Sequence, residues 1–511
     1  MKKIYELNGF FYLKGFKEYD WCDPIYNSNG EQIQIFLLNA ITKQKFRDLI
    51  LPQIRAGTVD ISEEVYNKIK TFKQNPCIEE QRREKVKLII PEGITLKPHQ
   101  DVAVHKMMQF YKYGFFLGTG TGKTLIAITW LLSKKPSSCL IVTPQKVVGQ
   151  YKEELDKYIP GNNYIVTNYE QLPKLIATNK KFEALILDES HRAKSYTSNI
   201  NENCRELAKH ATYIYLFTGT PQDKSRHDIL GQLAILDIRV MPGKTHTLER
   251  YFVMNDYYQP SNERPNRKEE LTAIINCYTW GKKTEDVVDL TKENNIIVKC
   301  PHPKEWYDEL LKNRVVTDEK FEKYCVADNK GVLRIRLREI CTGILTTQDD
   351  KYVKGFIETE SPKIKEFRNL IQTIPKAIIY YEFTSSLNQI EQVLKDEGKR
   401  YVIVNGKCNT KKSTILIEQF KRYKEVYLVI QCRSGNAGLD LTNTNTIIFY
   451  SLPESYIIFH QCKSRIRRIG QLKDCYYYYL ICEDTIEKHM YSTLQKKKSY
   501  TDRVFQNYLN E

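Results

Sequence analysis

Two stretches of the chain alternate short apolar runs with amphipathic helical patterns, the rhythm of a parallel sheet layered with helices. The first extends from about Leu96 to Ile235. Its predicted strands are Gly114–Leu117, Leu140–Thr143, Tyr164–Thr167, Ala184–Leu187 and Tyr213–Phe217. The second begins near Ser361, with strands predicted at Ala377–Phe383, Tyr401–Val404, Val426–Ile430, Thr446–Tyr450 and Cys475–Leu480. Both sets are rich in Ile, Val, Leu and Tyr, as strands covered on both faces require. The aromatic run Tyr476–Tyr479 accordingly belongs to a buried strand rather than to a base-stacking surface. Between the two stretches, residues 236–360 lose the rhythm. That segment is charged and mostly helical in pattern, and Leu333–Leu345 is its clearest amphipathic piece. The first 94 residues form a separate, aromatic-rich region.

Composition sharpens this outline. A chain of 511 residues is long enough for three to four domains at about 150 residues each. The hydrophobic share of 41% supplies proper cores. Lys and Arg number 78 against 62 Asp and Glu, an excess of +16 that favours a polyanion, whether nucleic acid or an acidic membrane surface. The 13 cysteines are odd in number and include no CxxC pair, which predicts reduced thiols of an intracellular protein rather than disulfides or a zinc site. Lys2 and Lys3 are followed by Glu6, Lys14, Lys17 and Glu18, so no signal-peptide core forms. No run approaches the roughly 18 apolar residues of a membrane span. A soluble protein retained in the cell is expected.

The chemistry concentrates at Tyr113–Leu132, YGFFLGTGTGKTLIAITWLL. A strand ends in a glycine-rich turn and a helix opens at Gly122-Lys123-Thr124. Such a turn wraps phosphates with backbone N–H groups, and the helix N-terminus adds its positive end. Gly120, Thr121 and Gly122 would form the wrap, Lys123 would reach the β and γ phosphates, and Thr124 would set its hydroxyl on Mg2+. The strict spacing asks for Gly at 117, where this chain has Leu117; its glycines stand at 118, 120 and 122. A phosphate cradle also needs a metal ligand and a group that handles water. Asp188 and Glu189 follow the strand Ala184–Leu187, at the sheet end that carries the cradle. Asp188 is the candidate for Mg2+ and Glu189 for the attacking water.

Further motifs carry a family resemblance. DESH at 188–191, followed by Leu216-Phe217-Thr218-Gly219-Thr220-Pro221, resembles motifs II and III of superfamily-two helicases. Leu96-Lys97-Pro98-His99-Gln100 resembles the adenine-reading Q motif of the Swi/Snf family, with Gln100 as its reader. CLIVTPQKVVGQYKEEL at 139–155 is similar to motif Ia and Val166–Glu170 to motif Ib. Ser434–Thr442 resembles motif V, and QCKSRIRRIGQ at 461–471 resembles motif VI. The chain is thus identified as a Swi/Snf-type DNA translocase in its motifs, over about Leu96 to Gln495. Ser464 stands where the family often has Asp, and Asp440 where Asn is common.

The resemblance implies an α/β fold with two tandem RecA-like parallel-sheet lobes. Residues 95–235 would be the ATP-binding lobe, 236–360 a helical insertion or linker, 361–511 the second lobe with C-terminal helices, and 1–94 an N-terminal accessory domain. Within the last, Ile61–Pro91 resembles annealing-helicase accessory domains. Arg465 and Arg468 match the motif VI arginines that reach the γ-phosphate from the opposite lobe. Thr143, Pro144, Thr167 and Gly435 match positions on the DNA side. Double-stranded DNA, ATP and Mg2+ are the implied partners, together with replication or recombination proteins, and no membrane. Compact members of this kind are familiar from phages, other viruses and prokaryotes, so a bacterial cytoplasm or an infected cell is the expected setting. A strand-separating DNA or RNA helicase shares the ATP site and is the alternative; a DNA-binding regulator with a relic ATPase is the more distant one.

Overall fold

The structure is a computed structural model. It describes residues 2–7, 10–19, 22–26, 32–37, 40–71, 88–222, 225–241, 244–255, 259–318, 323–348, 354–406, 408, 410–433 and 440–496. The chain divides into two compact units, Met1–Val287 and Val288–Glu511.

The first unit opens with a five-stranded sheet. Its strands are β1 (Lys2–Leu7), β2 (Phe10–Lys14), β3 (Asp23–Tyr26), β4 (Gln32–Leu37) and β5 (Val59–Ile61), in the order β3-β4-β2-β1-β5. Only β5 joins in parallel. Alternate residues Phe11 and Leu13 turn inward with Ile4 and Phe36 against Phe46 and Ile50, giving the aromatic-rich region a core of its own. Residues 72–87, most of the Ile61–Pro91 stretch, lie outside the described residues.

The same unit holds a six-stranded, wholly parallel sheet. It contains β6 (Lys112–Leu117), β7 (Cys139–Val142), β8 (Ile165–Thr167), β9 (Ala184–Asp188) and β10 (Tyr213–Thr218), with a small hairpin of β11 (Phe252–Met254) and β12 (Pro260–Glu263) apart from it. The order is β13-β6-β10-β9-β7-β8, where β13 is Thr279–Lys282. Side chains split between the faces with a period of two. Ile141, Ile186, Tyr215 and Phe217 pack under Ile126 and Trp130 of helix Lys123–Lys134. Their neighbours Leu140, Leu187, Ile214 and Leu216 pack under Leu230 and Leu233 of helix His227–Leu236.

The second unit repeats the plan. A parallel sheet runs β14-β23-β22-β19-β21-β20, from β14 (Glu293–Cys300), β19 (Lys376–Tyr381), β20 (Tyr401–Val404), β21 (Val426–Gln431), β22 (Thr446–Phe449) and β23 (Cys475–Cys482). Tyr477 and Tyr479 are fully buried on β23, as the strand assignment requires. An antiparallel meander of β15 (Val315–Asp318), β16 (Lys323–Val326), β17 (Ile344–Gln348) and β18 (Lys354–Glu358) accompanies it. Two parallel-sheet α/β lobes are therefore present.

Residues 236–360 depart from the helical expectation. Besides helices such as Lys268–Tyr278 and Lys330–Ile340, they contain all of β11 to β18. They also lie on both sides of the division at 287/288. The physical reason is their position: β13 and β14 are edge strands, half-covered, so TWGK and ENNIIVKC carry polar residues where interior strands carry apolar runs. The amphipathic piece Leu333–Leu345 is a helix only to Ile340. Gly343, at φ +74, turns the chain, and Leu345 is already on β17. A Cβ on Gly343 would lie 2.7 Å from the Thr359 carbonyl oxygen, so the turn also needs the close approach that glycine permits.

Candidate active site

The glycine turn sits at the C-terminal end of β6, with Gly120 at φ +77 and Gly122 at φ +84. Both lie in the left-handed region that glycine adopts without strain. Leu117, in place of the expected first glycine, is the buried last residue of the strand. The close approach falls instead on Gly118. Its N–H donates to the Lys282 carbonyl on the edge strand (3.0 Å), and a Cβ there would meet the Thr284 hydroxyl oxygen at 2.2 Å. Thr284 in turn donates to the Thr119 carbonyl at 2.9 Å.

Three residues brace the turn from within. Thr121 donates its hydroxyl to the Gly118 carbonyl (2.8 Å), and its own carbonyl accepts from Gln100 Nε2 (3.0 Å) and faces His99 Nε2 (2.9 Å). Gln100 Oε1 accepts from the Lys97 N–H, closing the first turn of helix Pro98–Gln109. Gln100, expected to read adenine, is buried here and supports the phosphate loop. Lys123 Nζ donates to the carbonyls of Leu117 (3.3 Å) and Gly118 (3.4 Å), folded over the mouth of the turn. Thr124 is the second residue of the helix that Lys123 opens.

Asp188 ends β9 and Glu189 follows it, with β10 lying between β9 and β6. Burial, and next the charge of Glu189, pushes the Asp188 carboxyl up to about 6, while Lys123 and Thr143 act in the opposite direction. Such a carboxylate gains from a cation. With the Thr124 hydroxyl it offers the hard oxygen donors that magnesium selects. Glu189 has φ +51, an unfavourable setting that costs a non-glycine residue about 1 kcal/mol. Its Oε2 lies 3.2 Å from His191 Nδ1, and the same ring atom lies 3.0 Å from Thr218 Oγ1. Thr218 Oγ1 accepts from the Thr220 N–H (3.2 Å). Glu189 is thereby joined through one imidazole to the turn after β10. That turn touches the phosphate loop, since a Cβ on Gly219 would stand 3.2 Å from the Thr119 nitrogen. Ser190 makes a second link, donating to Gln232 Oε1 (2.8 Å), whose Nε2 donates to the Pro221 carbonyl (2.6 Å).

Of the residues expected on the DNA side, Thr143 is corrected. It is fully buried and donates its hydroxyl to Asp188 Oδ2 at 3.1 Å, so it serves the carboxylate pair. Its N–H donates to the Thr167 carbonyl (2.9 Å). Pro144 and Thr167 are half-buried at the same end of the sheet. Gly435 lies outside the described residues. The His191–Thr218 link, Gln232 and Thr284 were not singled out from the sequence. Only His191 had a signal, its place beside the carboxylates.

In the second unit, Arg465 is 7% exposed and Arg468 is half-buried, in the turns that follow helix Tyr456–Lys463. The Leu441 N–H donates to the Arg465 carbonyl (3.2 Å), tying the end of motif V to motif VI. Gln471 Nε2 donates to the carbonyls of Thr442 (3.2 Å), Thr444 (2.9 Å) and Ile466 (3.2 Å), fixing the return of the loop. Ser464, at the position where Asp is frequent, donates its hydroxyl to the Gln461 carbonyl (2.9 Å) and its N–H to the His460 carbonyl (3.0 Å).

Known proteins match in the same order. The SNF2-related domain matches residues 161–345 and the helicase conserved C-terminal domain residues 362–470. Neither match includes the phosphate loop, which rests on its own residues. Chromodomain-helicase-DNA-binding protein 1-like of Mus musculus is 22% identical over 471 residues, covering 81% of this chain and 50% of that protein. DNA repair and recombination protein RAD54B of Homo sapiens is 23% identical, covering 75% of this chain and 51% of its own. Helicase SWR1 of Candida albicans is 28% identical over 239 residues, or 45% of this chain and 14% of that one. The chain spans about half the length, or less, of these curated relatives. A solved Sulfolobus solfataricus SWI2/SNF2 ATPase core in complex with dsDNA aligns at 19% identity, over 82% of this chain and 94% of that one, with a TM-score of 0.38. The curated relatives named here are eukaryotic and lend no support to the compact phage, viral or prokaryotic type expected from the sequence, nor to a bacterial cytoplasm or an infected cell as its setting. No helix among the described residues is long and apolar enough to cross a membrane. The order of the two matches, an SNF2-related domain and after it a helicase conserved C-terminal domain, supports a likeness to the Swi/Snf-like group of superfamily-two helicase-type proteins.

Proposed function

We propose that this protein is a DNA-stimulated ATPase that moves along or remodels double-stranded DNA. The observation that carries the reading is the glycine turn and Lys123 that follow β6, at the same end of one parallel sheet as Asp188 and Glu189 at the end of β9, two strands away. Gly120, Thr121, Gly122 and Lys123 would hold the phosphates of ATP, and Thr124 with Asp188 would hold Mg2+. When bound, magnesium neutralises charge on the terminal phosphates. Glu189 orients the attacking water and accepts its proton, with His191 fixing the carboxylate. Arg465 and Arg468 are the proposed groups that would stabilise charge on the transferred phosphoryl group. The excess of +16 suits a duplex held by its phosphates, with little preference for sequence. Pro144, Thr167 and the stretch around Gly435 are the proposed contacts. The named role of the human relative in recombination agrees with work at replication forks or recombination intermediates, in company with proteins of those processes.

The test is ATPase turnover with duplex, single-stranded and forked DNA and with RNA, beside triplex displacement and tailed-duplex unwinding. Duplex DNA should stimulate most, triplex strands should be displaced, and Lys123→Ala should abolish both activities. Glu189→Gln should keep ATP binding and lose about a hundredfold or more in turnover. Unwinding without triplex displacement would establish a strand-separating helicase instead, and stimulation by RNA alone would exclude the DNA reading.

A further inference from the structure

Motif VI is held by a strand that the sequence did not announce. Lys463 ends helix Tyr456–Lys463, and Arg467 lies four residues on, in the turn between Arg465 and Arg468. Both cations turn to one carboxylate, Glu293, the first residue of edge strand β14. Lys463 Nζ pairs with Glu293 Oε1 and donates to Asn295 Oδ1 at 3.0 Å. Arg467 Nη1 lies 3.4 Å from Glu293 Oε2, and its Nε donates to the Thr291 carbonyl at 2.8 Å.

The clasp is reinforced on all sides. Asn295 donates to Glu293 Oε1 (2.9 Å) and accepts from the Tyr479 hydroxyl (2.7 Å). The Tyr477 hydroxyl donates to the Lys463 carbonyl (3.1 Å), and the Lys463 ammonium stands 4.4 Å from the centre of the Tyr477 ring. The Lys463 side chain is only 12% exposed. Burial lowers its pKa even with Glu293 alongside. Without that carboxylate an enclosed ammonium would lose its charge partner, and the helix end would have to shift or open. Glu293 also stands six residues beyond Val287, where the first compact unit ends.

We infer that Glu293 is a positioning residue for the motif VI arginines: through Lys463 and Arg467 it fixes the turn that carries Arg465 and Arg468. This rests on the role proposed above for Arg465 and Arg468. A group acting only through an arginine needed in the transition state alters turnover and leaves substrate affinity nearly constant.

The experiment is steady-state ATPase kinetics of the full chain at saturating duplex DNA. Glu293→Ala should lower kcat by about tenfold, a cost in keeping with misplacement of a catalytic group by a fraction of an ångström. KM for ATP should stay within about twofold. In a cycle with Arg468→Ala, the double variant should be no slower than Arg468→Ala alone. Wild-type kcat in Glu293→Ala, or losses that multiply in the double variant, would overturn the positioning role. Wild-type kcat in Arg468→Ala would instead overturn the arginine assignment on which it rests. Where Glu293→Ala loses folded fraction by circular dichroism, Glu293→Gln keeps the volume and an acceptor without the charge, and the same comparison decides.

Discussion

Lys363→Met tests whether one enclosed ion pair secures the second lobe. The Lys363 ammonium is 0% exposed and donates to Glu487 Oε1 at 2.6 Å and to the Tyr450 carbonyl at 2.8 Å. Glu487, 4% exposed, otherwise accepts only the Cys482 N–H, at 3.0 Å, among its described bonds. Burial by itself would lower the lysine's pKa; Glu487 and the neighbouring thiols more than reverse this and hold it above its usual value. The raised lysine therefore contributes stability that is complete below about pH 10.4 and fades at higher pH. Methionine matches the stem and removes the charge, leaving a carboxylate in an apolar enclosure. Breaking such a pair from one side costs about 3–5 kcal/mol. Urea titration of the full chain, with hydrogen exchange read in helix Ile486–Gln495, measures it in the right lobe. Lys363→Met/Glu487→Met should recover most of the loss, because an apolar pair of similar volume needs no partner. A Lys363→Met protein within about 1 kcal/mol of wild type at pH 7 would refute the reasoning.

Three further outcomes follow from the first lobe. Gly118→Ala should weaken ATP binding by about tenfold or more in a fluorescent-nucleotide titration, since the new Cβ meets Thr284 backbone nitrogen at 2.6 Å and the loop must move. Thr143→Val removes a hydrogen bond to a buried carboxylate and should reduce turnover about tenfold. Duplex affinity by fluorescence anisotropy should remain within about twofold, because the hydroxyl is turned inward. His191→Ala should lower basal turnover and DNA-stimulated turnover alike by about tenfold, as Glu189 loses the ring that fixes its carboxylate and its link to Thr218. Stimulated and basal rates measured side by side check it.

The interior strands were legible because burial on both faces leaves them no choice of residue. Tyr401–Val404 coincides with β20, and the other predicted strands overlap β6 to β10, β19 and β21 to β23. The edge strands β13 and β14 were not, since one flank faces water and tolerates Lys282 or Asn295. The phosphate loop was legible for a different reason: positive φ at Gly120 and Gly122 demands glycine at those positions. The duties of Gln100 and Thr143 depend on partners 21 and 45 residues away, and no local pattern encodes them. Glu293 left no trace at all, being an ordinary charged residue until Lys463 is folded against it across 170 positions.

The edge strand β13 changes what counts as a self-sufficient piece of this molecule. It lies beyond the segment in which the α/β rhythm is visible, yet it pairs in register with β6 from Gly114 to Leu117. A fragment trimmed at residue 235 would strip β6 of a whole ladder of partners and lose the Lys282 carbonyl that receives Gly118. The exposed backbone edge would then invite pairing with other chains, at the strand that ends in the nucleotide loop. Expression fragments, crystallisation fragments and domain transplants from this protein should therefore be cut after residue 287, where the lobe's last strand is already in place.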